Sequence, residues 1–143
     1  MRPSLPLPAG VVAARLVGRL SRLARAGGGT TVPGKVLTIL SPNAVERLAA
    51  RLPLGSALVS ATNGKTTTAA MVAEILEGRY RLAHNSAGAN LLSGVASTLL
   101  SRTNAELGLF EVDEAALPDV ARRVRPRALA LGNLFRDQLD RYG

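Results

Sequence analysis

Nine residues, Ser60-Ala61-Thr62-Asn63-Gly64-Lys65-Thr66-Thr67-Thr68, join a short apolar run to a stretch of helical periodicity, and they narrow the folds open to this chain. Ala57-Leu58-Val59 reads as a buried strand. Behind Lys65, Met71, Val72, Ile75 and Leu76 recur at helical spacing, and Gly78 is placed to close the helix. A strand that runs through a glycine loop into a helix presents free backbone N–H groups at the positive end of the helix dipole, where a phosphate is held. Thr62, Asn63, Gly64, Lys65, Thr66 and Thr67 are therefore the candidate phosphate-binding residues. Lys65 supplies a point charge for the terminal phosphates and Thr66 a hydroxyl for a magnesium ion. Val59 stands where a Walker A loop has its first glycine, so this loop is a variant. A β-hairpin turning on Asn63-Gly64 is the bland alternative, and it leaves the helical run from Ala69 to Leu76 without explanation. Only two lysines stand against sixteen arginines, and one of the two falls in this loop, where a compact ammonium suits phosphate better than a planar guanidinium.

A chain of 143 residues with 47% hydrophobic content is long and apolar enough for a domain with a real core. It has no cysteine, hence no disulfide framework and no thiolate metal site, which suits a cytoplasmic protein. No apolar run reaches the roughly 18 to 20 residues needed to span a bilayer, and the N-terminus lacks a signal-peptide pattern. The formal charge of +8 invites a nucleic-acid reading, but aromatic residues are 3% of the chain and the arginines are not interleaved with Phe or Tyr. Nucleic acid is not an expected partner. An anionic substrate, or the anionic inner face of a membrane, remains consistent with the charge.

Residues 1 to 8 read as an extended lead-in. After them Val12, Leu16, Leu20 and Leu23 share one face of a helix, expected to pack on its own domain, and Arg15, Arg19, Arg22 and Arg25 share the other. Gly27 to Gly29 end that helix, and Pro33-Gly34 marks a break before an expected strand, Val36 to Leu40. Ser41 and Pro42 open an expected helix to about Leu52. Strands and helices then alternate: the Ala57 strand, the Lys65 helix, a strand at Tyr80 to Ala83, a helix from Asn90 to Ser101, a buried strand at Glu106 to Glu111, a helix at Pro118 to Val124, and an apolar strand at Ala128 to Leu131. This rhythm predicts an α/β fold of the P-loop type, a mostly parallel sheet with helices on both faces and ligands at the carboxyl ends of its strands. The loop, Glu111 and Asn133 all fall at such ends. The expected organisation is a basic helix with a glycine-rich linker over 1–34 and a nucleotide-binding domain over 35–143. His84, the one histidine, reads as a positioned loop or core residue rather than a base.

Four strings together, ATNGKTTT, HNSAGANLLSG, FEVDEAALP and NLFRDQLDRYG, resemble the central ATPase domain of the Mur ligase superfamily. The opening GGGTTVPG with its arginine-rich helix is similar to one branch in particular, whose ligase-like subunit works with a GatD-type glutaminase on lipid II. The resemblance implies that residues 62 to 67 wrap the ATP phosphates, that Glu111 joins Thr66 as a magnesium ligand, and that Asn90 lies near the γ-phosphate. It also implies that Asn133, Arg136, Asp137, Gln138 and Asp140 line the site. For Glu111 the plain alternative is an acidic surface cluster with Asp113 and Glu114; for Asn90 it is a helix N-cap. Gln138 stands where amino-acid-adding Mur ligases have a histidine, and Ala61 replaces the loop's usual first glycine. The implied chemistry is ATP-dependent activation of the D-glutamate α-carboxylate of the lipid II stem peptide to an acyl phosphate, which ammonia from the glutaminase attacks. The resemblance further implies that the ATPase domain is incomplete here, with no catalytic residue in this stretch and zinc only in a cysteine-bearing segment outside it, so this stretch alone is expected to be inactive. The rival readings are another Mur-superfamily ligase, of the amino-acid-adding or folylpolyglutamate type, and a non-catalytic basic module that binds nucleic acid or membrane.

Overall fold

The computed structural model describes residues 6–23, 31–85 and 88–133, the side chains of 21–23 excepted. Four strands form one parallel sheet: β1 (Ser56–Ser60), β2 (Leu82–His84), β3 (Leu107–Glu111) and β4 (Ala128–Leu131), in the order β2-β3-β1-β4. Six helices accompany them among the described residues: α1 (Leu7–Leu23), α2 (Val32–Leu40), α3 (Ala44–Ala49), α4 (Lys65–Glu77), α5 (Leu92–Ser101) and α6 (Leu117–Val124).

Strand alternation sorts the core into two layers. Leu58 of β1, Ala83 of β2 and Phe110 of β3 point to one face, where Leu37, Val45, Leu48, Val95, Leu99 and Val120 bring α2, α3, α5 and α6 against them. Val59, Leu82 and Leu109 point to the other face, which Ala69 and Ala73 of α4 cover. Helices thus lie on both faces, as the alternating sequence predicts. The hairpin alternative at Asn63-Gly64 is excluded, because α4 begins directly at Lys65. Gly78 is the C-cap of α4, in a right-handed conformation rather than the left-handed one expected of a closing glycine.

Three expectations are corrected. Val36 to Leu40 is not a strand but the second half of α2: Pro33 sits in the first turn instead of marking a break, and Leu37 is fully buried. The helix is favoured by close contact with α5, where the Gly34 N–H donates to Ser97 Oγ at 2.8 Å and a Cβ on Gly34 would come within 1.8 Å of the Ser93 carbonyl oxygen. Ser41 is consequently the C-cap of α2, and the next helix, α3, is confined to six residues with Asn43 as its N-cap.

The second correction concerns α1. Its inward residues are Leu7 and Ala14, which join the main core, while Val12, Leu16 and Leu20 are exposed. The face expected to pack inward is turned to solvent. Small residues explain the choice, since Gly10 and Gly18 bring the helix against Ser41 and Pro33 more closely than a row of leucines permits. Third, residues 7 and 8 of the expected extended lead-in are already helical, since α1 begins at Leu7; β4 has its expected span and is exposed at all four positions, no described helix covering the sheet at that edge. Arg22 and Leu23 fall where side chains are not described, and Arg25, Gly27 to Gly29, Arg136, Asp137, Gln138 and Asp140 lie outside the described residues.

Candidate nucleotide site

Adjacent strands β1 and β3 send the chain to opposite faces of the sheet. From β1 it enters α4 and passes to β2; from β3 it enters α6 and crosses to β4 on the other side of β1. Such a divergence opens a crevice at the carboxyl ends, the place where parallel α/β sheets take ligands. Residues 61–64 form one wall and residues 112–116 the other.

Gly64 has φ +79°, a left-handed conformation that a residue with a side chain adopts at a cost, and it turns the chain from β1 into α4. No side chain caps α4, and its first backbone bond runs from the Thr68 N–H to the Gly64 carbonyl. The amides of Lys65, Thr66 and Thr67 therefore have no intrahelical acceptor and converge at the positive end of the helix. The preceding two are braced: the Thr62 N–H donates to the Asn133 carbonyl at 2.8 Å, and the Asn63 N–H to Asn133 Oδ1 at 3.3 Å. Asn133, at the carboxyl end of β4, thus stands beside the loop and steadies its first half.

Across the crevice, Thr66 Oγ1 donates to Glu111 Oε1 at 2.8 Å. Glu111 is only 3% exposed, and none of the ion pairs among the described residues includes it. A buried carboxylate without a cation is costly, so this pair of hard oxygens suits a small divalent ion. Among the described residues no three His, Cys, Asp or Glu side chains gather into a metal cage.

Asn85, fully buried, holds Glu111 in place. Its Oδ1 accepts from the Glu111 N–H, and its Nδ2 donates to the carbonyls of Glu111 and Ala89, each bond 2.8 Å long. The side chain imitates a neighbouring strand and fixes the last residue of β3 where β2 has already ended. Asn90 is brought near through its backbone, its carbonyl accepting from the Asp113 N–H at 2.9 Å; it is not the N-cap of α5, a position held by Leu91 without a side-chain bond. His84 is half-buried in β2, with Nδ1 3.0 Å from the Leu109 carbonyl. A concavity of about 630 Å³ between Tyr80, Arg81, Arg102 and Asn104 lies at the amino ends of β2 and β3, remote from this chemistry.

Curated relatives decide the family resemblance. The chain is 37% identical over 135 residues, 90% of its length, to the MurT subunit of glutamine-hydrolysing lipid II isoglutaminyl synthase from Streptococcus pneumoniae (strain ATCC BAA-255 / R6). It is 32% identical over 118 residues, 80% of its length, to the subunits of the same name from Staphylococcus aureus strains N315 and COL. The chain is MurT-like. It spans 27% to 30% of the length of these relatives. No protein-family model matches it.

Two contributors to the candidate site of this MurT-like chain escape a reading of the sequence. Asn85 sits inside one of the recognised strings, yet nothing in its type or spacing announces a buried carboxamide bonded to Glu111. Glu114 reads as part of a surface acidic run, but its Oε2 lies 4.0 Å from Lys65 Nζ, both side chains largely shielded. Burial raises the Glu114 pKa; hydrogen bonds from its own backbone and from the Thr62 side chain, with the Lys65 charge, outweigh this and hold it below its ordinary value of 4.5. Lys65 is thereby parked against the wall of the crevice. Of the residues expected at the site, 62 to 67, Asn90, Glu111 and Asn133 gather at one end of the sheet, while Arg136 and Asp137 lie outside the described residues.

Proposed function

We propose that this chain carries the ATP- and magnesium-binding part of a MurT-type ligase subunit, acting in peptidoglycan synthesis on the D-glutamate α-carboxylate of the lipid II stem peptide. The observation that carries the reading is the bond between Thr66 and the buried Glu111 carboxylate, across the crevice from the open amides of α4. In this reading Lys65, Thr66 and Thr67 grip the phosphates, with Lys65 leaving Glu114 to meet them. Thr66 and Glu111 hold magnesium, which when bound neutralises charge on the triphosphate. Asn133 keeps the loop in the shape that presents its amides, and Asn85 keeps the Glu111 carboxylate aimed at it. Arg136 and Asp137 are proposed to extend the nucleotide contacts. The γ-phosphoryl group passes to the carboxylate, leaving ADP, and ammonia from a GatD-type glutaminase attacks the resulting acyl phosphate and displaces phosphate to give the amide.

The names of the relatives support a glutamine-hydrolysing complex, and a second subunit follows from the word subunit itself. The chain by itself is proposed to bind nucleotide without forming amide, in the cytoplasm where ATP is available. The test uses the complete ligase subunit that contains this segment, with the glutaminase, glutamine, ATP and lipid II, and follows carboxylate-to-carboxamide conversion by mass spectrometry. Amide that forms only with the glutaminase present and is lost in Lys65→Ala supports the reading. Addition of an amino acid in place of ammonia would assign the chain to another Mur-type ligase.

A further inference from the structure

Helix α1 presents an apolar face on each side. One is seated in the protein through Leu7 and Ala14. The other consists of Val12, Leu16 and Leu20, one turn apart over about 12 Å and between 53% and 66% exposed. Arg15 and Arg19 fall between these residues in sequence and border the stripe on the helix surface, and the helix contains no acidic residue.

Most of the net charge of the chain falls in the sequence segment that contains this helix. Before Glu46 the sequence holds Arg2, Arg15, Arg19, Arg22, Arg25 and Lys35 and no Asp or Glu, whereas the remaining 98 residues hold twelve basic and ten acidic side chains. Six of the eight net positive charges therefore lie in the first 45 residues. The stripe therefore combines exposed apolar side chains with a basic border. An anionic bilayer surface uses both, taking the apolar side chains into the boundary of headgroups and acyl chains while the guanidinium groups meet lipid phosphates. No described helix is long and apolar enough to cross a membrane, so the geometry is that of a helix lying on the surface.

We propose that the outer face of α1 docks this protein on an anionic lipid surface, Val12, Leu16 and Leu20 entering the interface and Arg19 pairing with lipid phosphate. Arg15 is partly engaged, its Nη2 donating to the Leu100 carbonyl at 3.3 Å, which leaves Arg19 as the cleaner probe of charge. The inference is independent of the nucleotide reading, since no residue of α1 contributes to the phosphate loop.

The chain contains no tryptophan, so a Leu20→Trp variant carries a single tryptophan, excited selectively over the two tyrosines, on the proposed contact face. Vesicles of phosphatidylcholine with phosphatidylglycerol are compared with vesicles of phosphatidylcholine alone. The proposal expects a blue shift and co-sedimentation with the anionic vesicles only, both weakened by salt. Adding Arg19→Gln lowers partitioning about fivefold, and adding Leu16→Asp lowers it more than about tenfold. Far-ultraviolet circular dichroism checks that each variant keeps its helices, and Leu16→Ala provides a milder substitution if the aspartate unfolds α1. No shift with anionic vesicles, or an equal shift with neutral ones, overturns the proposal. So does a concentration-dependent dimer that Leu16→Asp abolishes without any vesicle binding, which assigns the stripe to a second copy of the chain.

Discussion

Glu111 combines burial with a partner that leaves its charge in place, and each neighbour in the crevice answers that condition. The Thr66 hydroxyl satisfies one oxygen, Asn85 fixes the backbone, and the open amides of α4 face the same crevice. Asn85→Asp replaces an amide that donates to two carbonyls with a carboxylate that repels them, so it destabilises the fold by about 2–4 kcal/mol and weakens magnesium-dependent nucleotide binding. Thermal denaturation and nucleotide titration check the two effects separately. Lys65→Ala lowers nucleotide affinity on the order of 10- to 100-fold, the range for a charge-assisted contact, with little change in melting temperature. Glu114 adds a dependence on pH. Its pKa is depressed in the folded chain, so the stability from its contacts with Thr62 and Lys65 is present above the unfolded value and is lost as pH falls through the folded one, below 4.5. Stability profiles of the wild type and Glu114→Gln accordingly converge in acid and separate toward neutrality. Equal separation at all pH values would show that the carboxylate charge has no part in the contact.

At the scale of elements, the close seat between α2 and α5 invites the sharpest test. Gly34→Ala drives a methyl into the Ser93 carbonyl and costs about 1–3 kcal/mol or more, read as a lower melting temperature. The same seat shows where sequence patterns stop informing. Strands β1, β3 and β4 were legible because short apolar runs end at turn residues, and α4 because its periodicity follows a glycine loop. Val36 to Leu40 is equally apolar and is helical, a choice made by contact with α5 that no local pattern records. In α1 the period was legible and the direction was not. Both faces carry apolar residues, and the small ones won because Gly10 and Gly18 allow close approach. Glu111 could be read from its place at a strand end, but Asn85 and Glu114 could not, since their roles depend on distances across the chain. The ion network of Arg123 with Asp119 and Glu46, which ties α6 to α3, was hidden for the same reason.

For the molecule as a whole, the parallel sheet gathers the phosphate loop, Glu111 and Asn133 at one end, while the basic, partly apolar outer face of α1 belongs to the outermost helical layer. Both features fit the proposed reading, a nucleotide site at one end of the sheet and a lipid-facing helix apart from it. The central claim is that Thr66 and Glu111 together bind the magnesium of a nucleotide. Calorimetric titration of ATP into the wild type and Glu111→Gln, with and without magnesium, tests it most directly. Magnesium tightens ATP binding to the wild type by at least about tenfold, as a charge-compensating ion at a buried carboxylate requires, and has little effect on Glu111→Gln. Equal magnesium dependence in the two proteins, or no ATP binding by the wild type, would contradict the account.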